Sequence, residues 1–125
     1  MESNCNFVLN QDEVLNELIK ESIFKKDHIS IANVIHYLNQ DKINCTAEGI
    51  WYKYKNHYWQ KISDMEIIKT KLINEYKIKI GRNVLDDKIG MLNTLEVIKE
   101  LDDSRDEIFI TVTNIFYPDL NNVLH

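Results

Sequence analysis

Five aromatic side chains crowd into the nine residues from Trp51 to Trp59, and they constrain the fold more than anything else in the chain. The runs Ile50-Trp51-Tyr52-Lys53-Tyr54 and Tyr58-Trp59-Gln60-Lys61-Ile62 flank the polar triplet Lys55-Asn56-His57, with Gly49 punctuating the entry. Aromatic and β-branched runs on either side of a short polar break predict a β-hairpin with a three-residue connection. Alternation puts Trp51 and Lys53 on one face and Tyr52 and Tyr54 on the other. A lone two-stranded hairpin is marginal in water, so it must pack against other elements. Both tryptophans are therefore expected to serve mainly as core.

The remainder of the chain has helical periodicity. Val14, Leu15, Leu18, Ile19 and Ile23 recur at helical spacing from Gln11 to Phe24, beneath an acidic first turn of Asp12 and Glu13. A second helix begins near Asp27 or His28, carries Ile31, Val34, Ile35 and Leu38, and stops at Asn39-Gln40-Asp41. Ser63-Asp64-Met65-Glu66 reads as a capping box ahead of Ile67, Ile68, Leu72, Ile73 and Tyr76, with Gly81 punctuating that helix's end. A fourth helix spans about Leu85 to Leu101, weakened by roughly 1 kcal/mol at Gly90 relative to alanine. Ser104-Arg105-Asp106-Glu107 reads as another capping box, before a last element that Pro118 should end. Ile108, Phe109, Val112, Ile115 and Phe116 favour a helix there; the β-branched run Ile110-Thr111-Val112-Thr113 leaves a strand open. The expected fold is α+β and mostly helical, with about five helices and one central aromatic β-hairpin, in a single domain over residues 1–125.

Charge is segregated along the chain. The net charge of −5 divides into −4 over residues 1–49, +5 over residues 50–82 and −6 over residues 83–125. An acidic chain is a poor generic DNA binder, but a basic middle can present a local patch. A solvated face is the plainer account of the same lysines. The hairpin joins Lys53, Lys55 and Lys61 to His57, Tyr58 and Trp59, the mixture of cations and rings that single-stranded nucleic acid requires. These six residues are the candidate nucleic-acid-binding set.

Catalytic and cofactor chemistry has no comparable support. The three glycines, Gly49, Gly81 and Gly90, stand alone, and there is no phosphate loop, His-Glu-x-x-His helix, Cys-x-x-Cys pair or Gly-x-Ser-x-Gly elbow. Asp86-Asp87 and Asp102-Asp103 could hold a divalent ion, though helix-dipole partnership is the plainer role. His28, His36 and His57 are candidate metal ligands or bases, but neither His28 nor His36 has an acid or cysteine at ligand spacing. Cys5 and Cys45 make no disulfide framework and no four-ligand zinc site, and read as reduced thiols, Cys45 small and buried. No catalytic residue, metal or cofactor is expected. The short apolar runs and the Met1-Glu2-Ser3-Asn4 start predict no membrane span and no signal peptide, hence an intracellular protein.

The ordered pieces Asp27-His28-Ile29-Ser30-Ile31-Ala32, Tyr37-Leu38, Asp41-Lys42-Ile43-Asn44-Cys45 and Ile50 through Trp59 carry a resemblance. From Asp27 to about Tyr76 the chain resembles the helicase-preceding domain of viral and phage primase-helicases. That family shows a helix with an aliphatic-small pair, an aspartate-containing turn leading into a hydrophobic-x-Cys-like strand, and a Trp-Tyr…Asn-His-x-Trp hairpin followed by helices. Where the family commonly carries an arginine after the histidine, this chain has Tyr58. Neither primase catalytic acids nor an ATP-binding helicase core accompanies the match. The resemblance implies a non-enzymatic module contributing to assembly, to single-stranded DNA handling, or to both. Its partners would be single-stranded DNA, helicase and primase domains, or further copies of itself. The competing expectation is a stand-alone viral protein–protein interaction domain without nucleic-acid binding.

Overall fold

A computed structural model describes the backbone of residues 11–46, 48–82 and 88–124, and the side chains of 13–46, 48–82 and 88–116. The elements are α1 (Gln11–Lys25), α2 (His28–Asn39), β1 (Ile43–Cys45), β2 (Trp51–Lys55), β3 (Tyr58–Ile62), α3 (Met65–Arg82), α4 (Lys88–Asp103) and α5 (Arg105–Leu124). The mostly helical α+β class is thus observed, with five helices among the described residues. The hairpin gains a strand: β1 pairs antiparallel with β2, giving a three-stranded sheet in the order β1-β2-β3.

Local chemistry sets the helix ends. The αL residue Lys26, with φ 58°, ends α1 by donating its N–H to the Ser22 carbonyl at 2.9 Å. Asp27 caps α2, its Oδ1 accepting from the Ser30 N–H at 2.8 Å. At α3 the cap is Asp64 rather than Ser63: Asp64 Oδ1 accepts from the N–H groups of Glu66 and Ile67 at 3.0 and 3.4 Å. A carboxylate is the stronger acceptor and complements the helix dipole, so it displaces the hydroxyl one residue earlier. The expected box at Ser104 does not form either. Ser104 Oγ instead donates to Glu100 Oε2 at 2.8 Å, backwards onto α4.

The last element is helical where a strand was the alternative. Thr111 and Thr113 donate their hydroxyls to the Glu107 and Phe109 carbonyls at 3.2 and 2.9 Å, which settles two β-branched residues inside a helix. Nor does Pro118 end it, since α5 runs to Leu124. The acceptor a proline leaves over, four residues back, belongs to Asn114, which is exposed, so water can take it. The expected start of α4 at Leu85 falls outside the described residues.

The core centres on α2, which packs against α1, α3 and α5. Ile31, Ala32, Val34 and Ile35 are fully buried there, with Ile19 and Ile23 of α1, Leu72 and Tyr76 of α3, Val97 and Leu101 of α4, and Ile108, Val112 and Phe116 of α5. A buried polar thread runs through it: Tyr76 Oη donates to Ser22 Oγ at 2.7 Å, and Ser22 Oγ donates to the Ile19 carbonyl at 2.8 Å. Burial pushes the Tyr76 hydroxyl up to about 12 while Ser22 accepts its proton in a hydrogen bond, so the ring stays neutral. The sheet attaches through Trp51, fully buried with Phe109 and Phe116 at ring-centre distances of 5.4 and 5.3 Å.

Candidate nucleic-acid interface

The hairpin closes through two residues, not three. Lys55 pairs with Tyr58, leaving Asn56 and His57 as the turn, at φ 55° and 70°. Positive φ at both central residues matches a type I′ turn, whose twist suits the flanking strands. Asparagine and histidine tolerate that region better than most residues, yet glycine occupies it without the Cβ penalty. Replacing His57 with glycine is therefore expected to stabilise the fold by about 0.5–1 kcal/mol. A rise in the denaturant midpoint at unchanged slope checks this; a fall would mean that the imidazole makes a compensating contact.

That one-residue difference in turn length redistributes the candidate site. A three-residue connection would set Lys53 across from Trp59. The observed register sets Tyr54 across from Trp59, Lys53 across from Gln60 and Tyr52 across from Lys61. Directly opposed residues share a face, so one slip moves every side chain of a strand to the other side. The six candidates accordingly split. Lys53, Lys55 and Tyr58 lie on the face that carries Trp51, Cys45, Ile43 and Ile62 into the core, but nearer the tip, where they are exposed. Trp59 and Lys61 lie on the outer face, and His57 stands exposed at the tip.

The outer face gathers two residues absent from the candidate set. Tyr54 and Trp59 meet edge to face at 5.3 Å with 64° between their planes, and Tyr52 stands opposite Lys61. Tyr54 is 47% exposed and Trp59 is half-buried, so the pair is a rigid, accessible aromatic step. Alternation alone identifies Tyr52 and Tyr54 as neighbours; only the turn length reveals that Trp59 joins them. On the other face Lys53 and Lys71 rim a shallow groove of about 110 Å³ floored by Ile43, Ile62, Ile67 and Ile68.

The lysines differ in their pairing, and the three on the hairpin share their lack of an acidic partner among the described residues with Lys42, Lys71 and Lys88. Lys20, Lys25, Lys26, Lys69, Lys77 and Lys99 each lie within ion-pair distance of a carboxylate, among them Lys25–Glu21, Lys26–Glu96 and Lys77–Asp102 at 2.8 Å. Among the described residues, no carboxylate comes that close to Lys53, Lys55 or Lys61, and all three are exposed. The hairpin thus concentrates uncompensated positive charge on a chain that is acidic overall.

Elsewhere the polar residues serve the fold. His28 Nε2 lies 2.9 Å from Glu100 Oε2, joining α2 to α4, and the His28 and Ser104 hydrogen bonds hold the Glu100 carboxyl below its ordinary value. His36 meets the Phe116 ring edge to face at 4.9 Å. Cys45 is buried and donates Sγ–H to the Thr113 carbonyl at 3.4 Å, and burial pushes its thiol up to about 12, far from a reactive thiolate. Asp102 and Asp103 pair with Lys77 and Lys99, near the end of α4 rather than its start. Cys5 and Asp86-Asp87 fall outside the described residues. Among the described residues, no three His, Cys, Asp or Glu side chains gather to hold a metal ion, and no helix is long and apolar enough to cross a membrane.

No protein-family model, curated protein or solved structure matches the chain.

Proposed function

We infer that this chain is a non-catalytic nucleic-acid-handling module of the viral primase-helicase type, in which the aromatic hairpin engages single-stranded DNA. The observation that carries this reading is the coincidence, on one hairpin, of three exposed lysines without acidic partners among the described residues and an accessible edge-to-face aromatic step. Bases stack on the Tyr54–Trp59 step while Lys61 and the tip residues meet phosphates, and Lys53 and Lys55 extend positive charge around the strand edge. The strand at Ile43–Cys45 and the hairpin after it stand where the resemblance expects a hydrophobic-x-Cys strand and a Trp-Tyr…Asn-His-x-Trp hairpin, which supports the family part of the reading.

Intrinsic fluorescence tests the stacking geometry. Trp51 is buried and Trp59 is not. Titration with a single-stranded oligonucleotide is expected to quench the Trp59 component, and to do so equally in a Trp51→Phe variant. Emission that stays unchanged at saturating oligonucleotide contradicts the reading.

One feature favours the interaction-domain alternative. The first two turns of α4 leave Ile89, Met91, Leu92 and Leu95 more than half exposed, an apolar face that DNA handling does not use. Under that alternative the chain docks through α4 and the hairpin lysines are a solvated face.

A further inference from the structure

The geometry points to the free edge of β3 as a self-complementary interface, through which two copies of this chain join their sheets about a two-fold axis at Gln60. This inference rests on strand geometry and not on nucleic-acid binding.

The hydrogen-bond pattern fixes which backbone groups are available. On β2, the Tyr54 N–H donates to the Lys42 carbonyl at 2.7 Å, and the Thr46 N–H donates to the Ile50 carbonyl at 2.9 Å. In an antiparallel ladder such bonding pairs alternate, so Ile50, Tyr52 and Tyr54 address the β1 side, and Trp51, Lys53 and Lys55 address β3. Their partners Ile62, Gln60 and Tyr58 use their backbone groups on β2. The N–H and C=O of Trp59 and Lys61 therefore point away from the sheet. Among the described residues, none bonds them.

Only one register of β3 against a second β3 uses both residues well. Centred on Gln60, it sets Trp59 against Lys61 of the second copy, and Lys61 against its Trp59, each pair exchanging two backbone hydrogen bonds. On the outer face this places an ammonium beside an indole twice. On the other face it sets Tyr58, 56% exposed, against Ile62, an aromatic–β-branched pair made twice. Ile67 lines the same groove as Ile62 and is 65% exposed, so the incoming tyrosine also covers it. Centring on Lys61 opposes two like charges. Centring on Trp59 runs the next bonding pair into the turn at His57. The favourable register is thus specified by both charge and turn, and it is isologous, as a closed dimer requires.

The axis makes a distinctive test, because residue 60 then faces its own copy. Sedimentation velocity of the whole chain over a wide concentration range should give a reversible monomer–dimer equilibrium. Lys61→Pro removes an N–H that the intramolecular ladder does not use, and should weaken dimerisation about tenfold or more. Gln60→Lys and Gln60→Glu should each do the same by like-charge repulsion, while an equimolar mixture of the two should restore the dimer. If Lys61→Pro also lowers the melting temperature, the Gln60 variants decide, since they leave the backbone intact. A wild-type chain that stays monomeric throughout, or a dimer indifferent to the Gln60 variants, overturns the inference.

Discussion

Replacing Trp51 with alanine is expected to cost about 3–5 kcal/mol of folding stability, the range for deleting a large buried aromatic. The side chain is fully buried and joins the sheet to α5 through Phe109 and Phe116. A domain of this size has roughly 5–15 kcal/mol in total, so the variant should lose much of its denaturant midpoint or fail to fold. Trp51→Phe separates packing from hydrogen bonding. Indole Nε1 is buried with no hydrogen-bond partner among the described residues, so phenylalanine forfeits no bond to them and leaves only the volume of the missing ring. It should cost about 1–2 kcal/mol. Urea unfolding of both variants measures the difference. Equal losses would mean that the indole N–H contributes and that the packing account is wrong.

The second large effect concerns binding. Reversing Lys53, Lys55 and Lys61 together to glutamate is expected to weaken single-stranded DNA binding more than about tenfold at low salt. Each lost phosphate contact should remove about 0.7 from the slope of log affinity against log salt, hence about 2 for three. Stability should change little, because the three side chains are exposed and make no ion pairs among the described residues. Each reversal changes the net charge by −2, so the triple variant falls from −5 to −11 and repels DNA at long range as well. Lys20→Glu, Lys25→Glu and Lys99→Glu together are the matched control. They alter net charge equally on lysines paired within their own helices. Fluorescence anisotropy should show the hairpin variant losing far more affinity than the control. Equal losses would assign the effect to net charge and remove the hairpin from the account.

The helices were legible in the sequence because steps of three and four mark a buried stripe directly: Ile31, Val34 and Ile35 are all buried as that spacing requires. Their ends were less so, because several residues compete for the same backbone groups. Ser63 and Asp64 both suit a cap, and the carboxylate takes it. Ser104 suits a cap too, but Glu100 lies one turn back and accepts its hydroxyl. Pro118 reads as a terminator, although a helix can run past a proline where the orphaned carbonyl meets water. The strand β1 has only three residues, too few for alternation to register, and the resemblance alone points to it.

The site was half legible. Residue types placed the cations and rings on one hairpin, but the face each occupies depends on register, and register depends on whether Lys55 is strand or turn. Asn56 and His57 can both adopt positive φ, which permits the tighter turn and moves Trp59 beside Tyr54 and away from Lys53. Tyr52 and Tyr54 could have been found from Lys55 pairing with Tyr58. Nothing in the local sequence shows that Lys53, Lys55 and Lys61 lack acidic partners, since the pairs that neutralise Lys26, Lys69 and Lys77 span elements far apart in the chain.

Whether the hairpin engages single-stranded DNA is decided by an anisotropy titration of labelled single-stranded DNA with the wild-type chain at two salt concentrations, beside a duplex of equal length. Saturable binding that prefers the single strand and weakens steeply as salt rises is the expected result. Absence of binding at the lower salt, or equal and salt-insensitive binding to both forms, would contradict it.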